Sequence, residues 1–356
     1  MIALVILDQI DIPIVLAPLA GGPSTPELAA AVSNAGGLGF LAAGYLTADV
    51  LREQVARARS LTGAALGVNL FVPGRPAAPG SVDDYARRLT AAYAQAGVRL
   101  GEARFDDDAW DAKLALLLDR PPEVISFTFG CPDPAVISAV RAAGSEAWVT
   151  VTTPADARQA ADAGASALVV QGSEAGGHRG GFADDPAEDA SGGIGLLSLL
   201  QLVRSETQLA LIGAGGITTG AGVAGVLAAG ASAAQLGTAF LRSPEAGTAQ
   251  VQRDALAQHG QTAMTRAFTG RLARGIRNQF LDEHSHAAPA AYPEVHFLTA
   301  PLRAAGRSSG NPDLVNLWAG QTYELARERP AAEIVSELAD EARTALAAAS
   351  GRLQRT

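Results

Sequence analysis

His178 stands inside Gly172-Ser173-Glu174-Ala175-Gly176-Gly177-His178-Arg179-Gly180-Gly181, where the glycines make a tight loop able to close on a ligand. Imidazole titrates near neutrality, so it can take a proton as a base or, once protonated, face an anion. A lone histidine is more often structural. Its place among glycines, just past the apolar run Ala167 to Gln171, reverses that expectation. Glu174 reads as a carboxylate that orients the loop, and Arg179 as a solvated or phosphate-side charge. Three carboxamides, Asn69, Gln171 and Gln235, lie in otherwise apolar runs, where a buried amide needs hydrogen-bond partners. Singly, each could satisfy a neighbouring loop. Together they suit a ligand edge of alternating donors and acceptors, as a flavin presents.

Glycine-rich segments point to a phosphate. Gly213-Ala214-Gly215-Gly216 precedes Ile217-Thr218, and Gln235-Leu236-Gly237-Thr238 follows one unit later. Neither is a P-loop, for there is no Gly-Lys-Ser/Thr, and the spacing is not the dinucleotide fingerprint. In a (β/α)8 barrel the loops after strands seven and eight hold a phosphate on backbone N–H groups and a helix N-terminus. FMN would use both that site and the amides. Ala17-Pro18-Leu19, running into Ala20-Gly21-Gly22, ends the first strand in small residues that let a flat ring approach the backbone. Cys131, in Phe129-Gly130-Cys131-Pro132, is expected at the same mouth as a small wall residue, with nothing beside it to lower its pKa. His284 and His286 lack a third ligand at helical spacing and read as a surface loop rather than a metal site. His259 reads as a charge at a helix C-terminus.

The elements that must position these residues alternate. Strand candidates begin near Ile14, Gly37, Ala65, Val124, Ala147, Ala167, Leu209 and Ala233, and are continuous apolar runs, as expected of parallel strands buried on both faces. Helical stretches fill the gaps: Thr25-Pro26-Glu27 opens one to Ala35, Thr47 caps another to Ser60, and Pro134–Ala143, Pro154–Ala163 and Gly220–Ala229 each stop at a glycine. The pattern predicts an α/β fold, a (β/α)8 TIM barrel, with a doubly wound open sheet as the alternative. Residues 1–71 and 123–260 are expected to form the barrel. Residues 72–122 hold a Pro-rich loop and two helices, Val82–Ala96 and Asp107–Leu118. Residues 261–356 hold an Arg-rich stretch (Arg266 to Arg277), a loop from His284 to Pro301 and a helical end, Pro312 to Leu353. These two regions are expected to make a smaller, mostly helical unit over the top of the barrel.

Composition narrows the function classes. The 356 residues are 48% hydrophobic and carry a formal net charge of −9, enough apolar material for a large core and the wrong sign for a nucleic-acid binder. One cysteine allows no intrachain disulfide, and Lys113 is the one lysine. No apolar run reaches membrane-spanning length unbroken, and Asp8 comes too early for a signal peptide, so a soluble cytoplasmic protein without nucleic-acid or membrane partners is expected. A monomer or homodimer is expected, since no heptad pattern compels more.

The segments PIVLAPLAGG, AAAVSNAGGLGFLAAG, GVNLFVP, QGSEAGGHRGGF and GAGGITTGAGVAGVLAAGASAAQLGTAFL, with LWAGQ at Leu317–Gln321, together resemble nitronate monooxygenase, formerly 2-nitropropane dioxygenase. The likeness spans nearly the whole chain and is greatest to the bacterial class I enzymes. It implies a TIM-barrel FMN enzyme that oxidises alkyl nitronates, propionate 3-nitronate among them, with O2 to carbonyl compounds and nitrite. It also implies FMN contacts from Asn69, Gln171, Gly176, Gly215, Gly216, Gln235, Leu236, Gly237 and Thr238, with Ala17, Pro18 and Leu19 behind the flavin and His178 as the active-site histidine. Class I relatives often carry an aromatic residue and a lysine after Tyr292-Pro293, where this chain has His296 and Ala300, a departure that bears on substrate more than cofactor. Three other readings stand beside this one. They are an FMN-dependent NAD(P)H reductase of enoyl thioesters or quinones, a non-catalytic flavin-binding protein, and a flavin-free barrel acting on a phosphorylated metabolite.

Overall fold

The computed structural model describes residues 6–93, 98–186 and 192–354. Eight parallel strands form the centre: β1 (Ile14–Leu16), β2 (Gly39–Ala42), β3 (Leu66–Phe71), β4 (Val124–Thr128), β5 (Glu146–Val151), β6 (Ala167–Gln171), β8 (Ala210–Ala214) and β9 (Ala233–Leu236). Neighbours pair in order, and β1 closes the ring on both sides. It pairs with β9 in register Val15 to Gln235, and it bridges Val15 to Leu38, with Leu16 N–H on Leu38 O at 2.9 Å. The sheet is therefore a closed (β/α)8 barrel, and all eight expected strands are in it.

The continuous apolar runs are explained by burial on two sides. In β6, Leu168 and Val170 face the surrounding helices, while Ala167 and Val169 point into the barrel with Phe40, Val124 and Trp148. The Phe40 and Trp148 rings lie 5.8 Å apart in that interior.

The outer helices begin where capping chemistry puts them. Thr25, Thr47, Thr153 and Thr219 accept an N–H from the first turns of α1 (Pro26–Asn34), α2 (Ala48–Leu61), α6 (Pro154–Asp162) and α8 (Gly220–Ala228), and Asp133 does so for α5 (Pro134–Ala142). Two further helices, α4 (Trp110–Asp119) and α7 (Leu196–Glu206), complete the ring with Leu117, Leu199 and Val203 in the same core. So does the terminal helix α12 (Ala331–Leu353), through Ile334, Val335 and Leu338.

A cap sits over the strands' C-terminal ends. Its apolar centre joins Tyr85 and Leu89 of α3 (Asp83–Tyr93), Phe280 of α10 (Gln279–His284), and Val295, Leu298 and Leu302 of α11 (Glu294–Ser309). The Arg-rich stretch holds a strand rather than a helix. It supplies β11 (Ala273–Ile276), paired antiparallel to β10 (Thr262–Thr265) on one side and to β7 (Gly177–His178) on the other. The expected loop His284–Pro301 is largely helical: α11 runs through Pro301, and Gly101 N–H bonds Leu298 O at 2.8 Å beside the break in its ladder. The helical end begins only at Ala331. Pro312–Leu314 and Tyr323–Leu325 are single 3₁₀ turns, and the chain between them runs extended against β11 through a bridge from Trp318 to Gly275.

Candidate active site

The strands' C-terminal ends and the cap enclose a cavity of about 520 Å³. Its wall brings together Ala17, Pro18 and Leu19 after β1, Asn69 on β3, Gln171 on β6, Gly176 and His178 on the next loop, Gly215 and Gly216 after β8, and Gln235, Gly237 and Thr238 on and after β9. Leu236 is the exception among the expected residues. Strand alternation turns its side chain outward, where it is 1% exposed among the helix-facing residues.

His178 is pinned by the cap. It pairs with Ala273 across β7 and β11, so the catalytic candidate lies in a short edge strand rather than a free loop. Its Nε2 lies 2.9 Å from Thr269 Oγ1, and that hydroxyl donates to Arg271 O at 3.2 Å. A hydroxyl has one proton, so giving it to Arg271 O leaves Thr269 to accept from Nε2–H. The lone pair then sits on Nδ1, which has no protein partner among the described residues. Enclosure, then the charges of Arg271 and Arg303, push the His178 pKa down to about 3, so the ring is neutral.

The amides divide into two kinds. Asn69 Nδ2 faces Ser126 O at 3.3 Å, Ser126 Oγ at 2.9 Å and Thr128 Oγ1 at 2.9 Å. A carbonyl only accepts, which fixes the amide's orientation and leaves Oδ1 toward the cavity. Gln235 lines the cavity with no hydrogen bond from its side chain among the described residues. Gln171 is spent on the loop: Nε2 donates to His178 O at 3.0 Å, and Oε1 accepts from Gly180 N at 2.9 Å. Arg179 is not a solvated or phosphate-side charge, because its Nη1 donates to Gly172 O at 2.6 Å and Gln171 O at 3.2 Å. Glu174 does orient the loop, both carboxylate oxygens accepting Leu196 N–H at 3.0 Å at the start of α7.

Opposite, the 318–322 stretch clamps the glycine-rich loops. Gly320 N–H bonds Thr238 Oγ1 at 3.0 Å, Thr322 Oγ1 bonds Gly216 O at 2.9 Å, and Thr218 Oγ1 bonds Thr322 O at 3.2 Å. Gly216 holds φ +66, a conformation suited to glycine, and a Cβ there would lie 2.8 Å from Glu174 Cβ. No backbone carbonyl among the described residues takes the Gly215 or Gly216 N–H. These amides, beside the start of α8, form an anion cradle. Asn316 on the same wall carries a buried Oδ1 with no partner among the described residues.

The rest of the wall comes mostly from residues that the sequence did not single out, His296 and Ala300 excepted. Tyr45 after β2 stacks on His296 of α11, centroids 4.2 Å apart, and accepts a hydrogen bond from Tyr292 at 3.0 Å. Tyr45 is held in place by a buried pair. Its N–H bonds Asp108 Oδ1 at 2.8 Å, and Asp108 Oδ2 meets Lys113 Nζ at 2.7 Å. Phe129, Trp318 and Tyr292 surround His178, each with its ring centroid 5.6 Å from the imidazole, and Phe129 and Tyr292 lie 5.4 Å apart. Both His296 and Ala300 line the cavity, on a helix rather than a loop, and Arg303 and Arg307 follow them. No Asp or Glu among the described residues lines the cavity.

Two further residues differ from expectation. Cys131 lines a groove with Pro132, Arg158 and Asp162 away from this cavity, and burial lifts its thiol to about 11, which leaves it protonated. His284 is not on a surface loop; it is 2% exposed, packed against Phe280 and Tyr93.

The family model for nitronate monooxygenase matches residues 5–341. The chain belongs to the nitronate monooxygenase family. A nitronate monooxygenase of Pseudomonas aeruginosa is 40% identical over 341 residues, covering 93% of this chain and 96% of that one. The crystal structure of nitroalkane oxidase from Streptomyces ansochromogenes is 50% identical, with TM-score 0.94 over 96% of this chain and 99% of that one. FabK from Thermotoga maritima, at 24% identity and TM-score 0.76 over 97% of each chain, shares the fold. The nitronate monooxygenase family is flavin-dependent, and the residues present fit a flavin. Asn69 Oδ1, the Gln235 amide and the orphaned Asn316 Oδ1 offer polar edges, and Gly215 and Gly216 offer N–H groups for a phosphate.

Proposed function

We propose that this chain binds FMN in the cavity and oxidises alkyl nitronates, propionate 3-nitronate or similar, with O2 to carbonyl compounds and nitrite. The observation that carries the reading is a neutral His178 in a cavity whose formally charged side chains are Arg303 and Arg307. A nitronate is already an anion. Its oxidation needs no base, only a place against the cofactor and a positive field. Of the two roles open to His178, the environment favours the neutral ring, so the guanidinium groups of Arg303 and Arg307 balance the substrate's charge. FMN, when bound, supplies the electron transfer. Asn69 and Gln235 would hold its polar edge, Gly215, Gly216 and Thr238 its phosphate, and Ala17 to Leu19 would back the ring. For a neutral nitroalkane, His178 Nδ1 is the group placed to take the α-proton, and its depressed basicity makes that the harder reaction.

The test is anaerobic absorbance of the FMN-loaded protein before and after addition of propionate 3-nitronate, with NADH in parallel. Loss of oxidised-flavin absorbance with the nitronate and not with NADH supports the reading, whereas the reverse moves the chain to the reductases. The variant His178→Ala should keep its flavin, turn over nitronates more slowly, and lose on the order of 10²-fold or more with neutral nitroalkanes. Unchanged rates, or flavin lost on purification, would count against the role of His178.

A further inference from the structure

Thr269 is 1% exposed and still lines the cavity, because the turn that carries it reaches the imidazole of His178. Strand pairing sets that approach. His178 lies opposite Ala273, Arg179 N–H bonds Leu272 O at 2.8 Å, and the turn just before β11 then places Thr269 at the ring. The cap braces the turn. Thr299 Oγ1 donates to Phe268 O, and Ala291 N–H to Gly270 O at 3.1 Å.

The Thr269 hydroxyl has one proton and two lone pairs, and each has a place to go. The proton goes to Arg271 O at 3.2 Å, one lone pair takes Arg271 N–H at 3.5 Å, and the other faces His178 Nε2 at 2.9 Å. No backbone N–H among the described residues donates to Arg271 O. Turning the hydroxyl toward Nε2 would therefore strand a carbonyl of a buried residue. Phe129, Tyr292 and Trp318 enclose the imidazole, and among the described residues this is the one side-chain hydrogen bond that holds it.

That single proton decides what His178 shows to the cavity. With Nε2–H on Thr269, Nδ1 shows a lone pair and can accept a proton. With the hydroxyl reversed, Nδ1 shows an N–H, which binds a nitronate oxygen but takes nothing from carbon. A nitronate needs no proton removed, and a neutral nitroalkane does. In that step the α C–H bond breaks, its electron pair becomes the C=N bond as the nitro π pair moves onto oxygen, and the proton goes to Nδ1. Nε2–H keeps its place on Thr269 throughout.

We propose that Thr269 is a positioning residue that fixes the tautomer of His178 and so sets how well this chain uses neutral nitroalkanes relative to their nitronates. The selectivity rests on the nitronate reading above; the tautomer does not.

Two measurements separate them. The first is NMR of protein labelled with heavy nitrogen in its five histidine rings, with His178 identified by the signal that His178→Asn lacks. At neutral pH the wild type and Thr269→Ser should show a protonated Nε2 and a bare Nδ1. Thr269→Val keeps the shape and loses the hydroxyl, so its proton should shift to Nδ1, because an N–H facing a methyl group has no acceptor. The second is oxygen consumption by the FMN-loaded proteins with nitroethane and with ethyl nitronate. In Thr269→Val, kcat/KM should fall about 10- to 100-fold for nitroethane, mostly in kcat, and less than about threefold for the nitronate. Thr269→Ser should keep both, and the isotope effect with nitroethane deuterated at the α-carbon should rise in the valine variant alone.

A protonated Nδ1 in the wild type, or an unchanged tautomer in Thr269→Val, overturns the positioning role at any rate of turnover. Equal losses on both substrates, or flavin lost from Thr269→Val, mark a merely structural threonine and overturn it too. Wild-type turnover of the nitronate alone overturns the selectivity while nitronate oxidation stands. Turnover of neither, with the expected tautomer in place, overturns the nitronate reading itself.

Discussion

His178 and His296 are held neutral, at about 3 and about 2, by enclosure first and by nearby arginines next. In the unfolded chain both would titrate near 6.5, so below that value the unfolded state binds more protons than the folded one. Their contribution to stability is therefore complete above about 6.5 and is lost as pH falls toward 3. The urea midpoint should drop between about pH 7 and about pH 4.5, and less steeply in the double variant His178→Asn/His296→Asn. An equal slope in the two proteins would sink that account. At this scale the sequence was informative where a polar residue interrupts an apolar run: Asn69, Gln235 and His178 stand out for that reason. Gln171 stood out equally, and the structure spends its amide on the His178 loop. Arg303 and Tyr45 gave no such signal. Arg303 reaches the cavity wall from a cap helix and Tyr45 is set by a stacked partner on a distant segment, neither of which has a local pattern.

Barrel strands and most barrel helices were legible because they carry their own signal, a doubly apolar run or a Thr or Pro start with a stop. Helix α7, which starts after Gly195 with no side-chain cap, carries none. The cap over the barrel was not legible. β11 holds buried Arg274 and follows buried Arg271, whose guanidinium groups bond Ser173 O and Arg179 O, so charge hides the strand pattern. Proline at 301 suggested a break, yet α11 continues through it. The clamp at 318–322 is the element on which the cofactor grip turns. Gly176 lies so close that a Cβ would sit 2.5 Å from Ala319 C and Gly320 N, both backbone. Gly176→Ala should cost about 1–3 kcal/mol and weaken FMN binding at least tenfold by forcing the clamp outward. The control is Gly225→Ala inside α8, where a Cβ meets nothing within 4 Å; it should be neutral or stabilising by roughly 0.5–1 kcal/mol. Flavin titration and thermal melting of the two proteins decide the point, and equal flavin affinity would remove the clamp's role.

As a whole, the molecule divides its labour between a barrel that carries the small and apolar surfaces and a cap that carries the charge. The alternation predicted the first. The second depended on contacts between segments far apart in the chain, such as α3 against α11 and β7 against β11. One long-range tie is the Lys113–Asp108 pair that seats Tyr45, with the lysine side chain 1% exposed. Because it is the sole lysine, a protease that cuts after lysine has a single target bond in the chain, between Lys113 and Leu114. Digestion should release just residues 1–113 and 114–356, and only as fast as α4 opens. Asp108→Asn, which strands a buried ammonium at a cost of about 3 kcal/mol, should speed the cut on the order of 100-fold. Cleavage of the native protein as fast as in urea would show the helix to be open already. The arrangement makes the chain its own one-site clock for local opening, read from two bands on a gel.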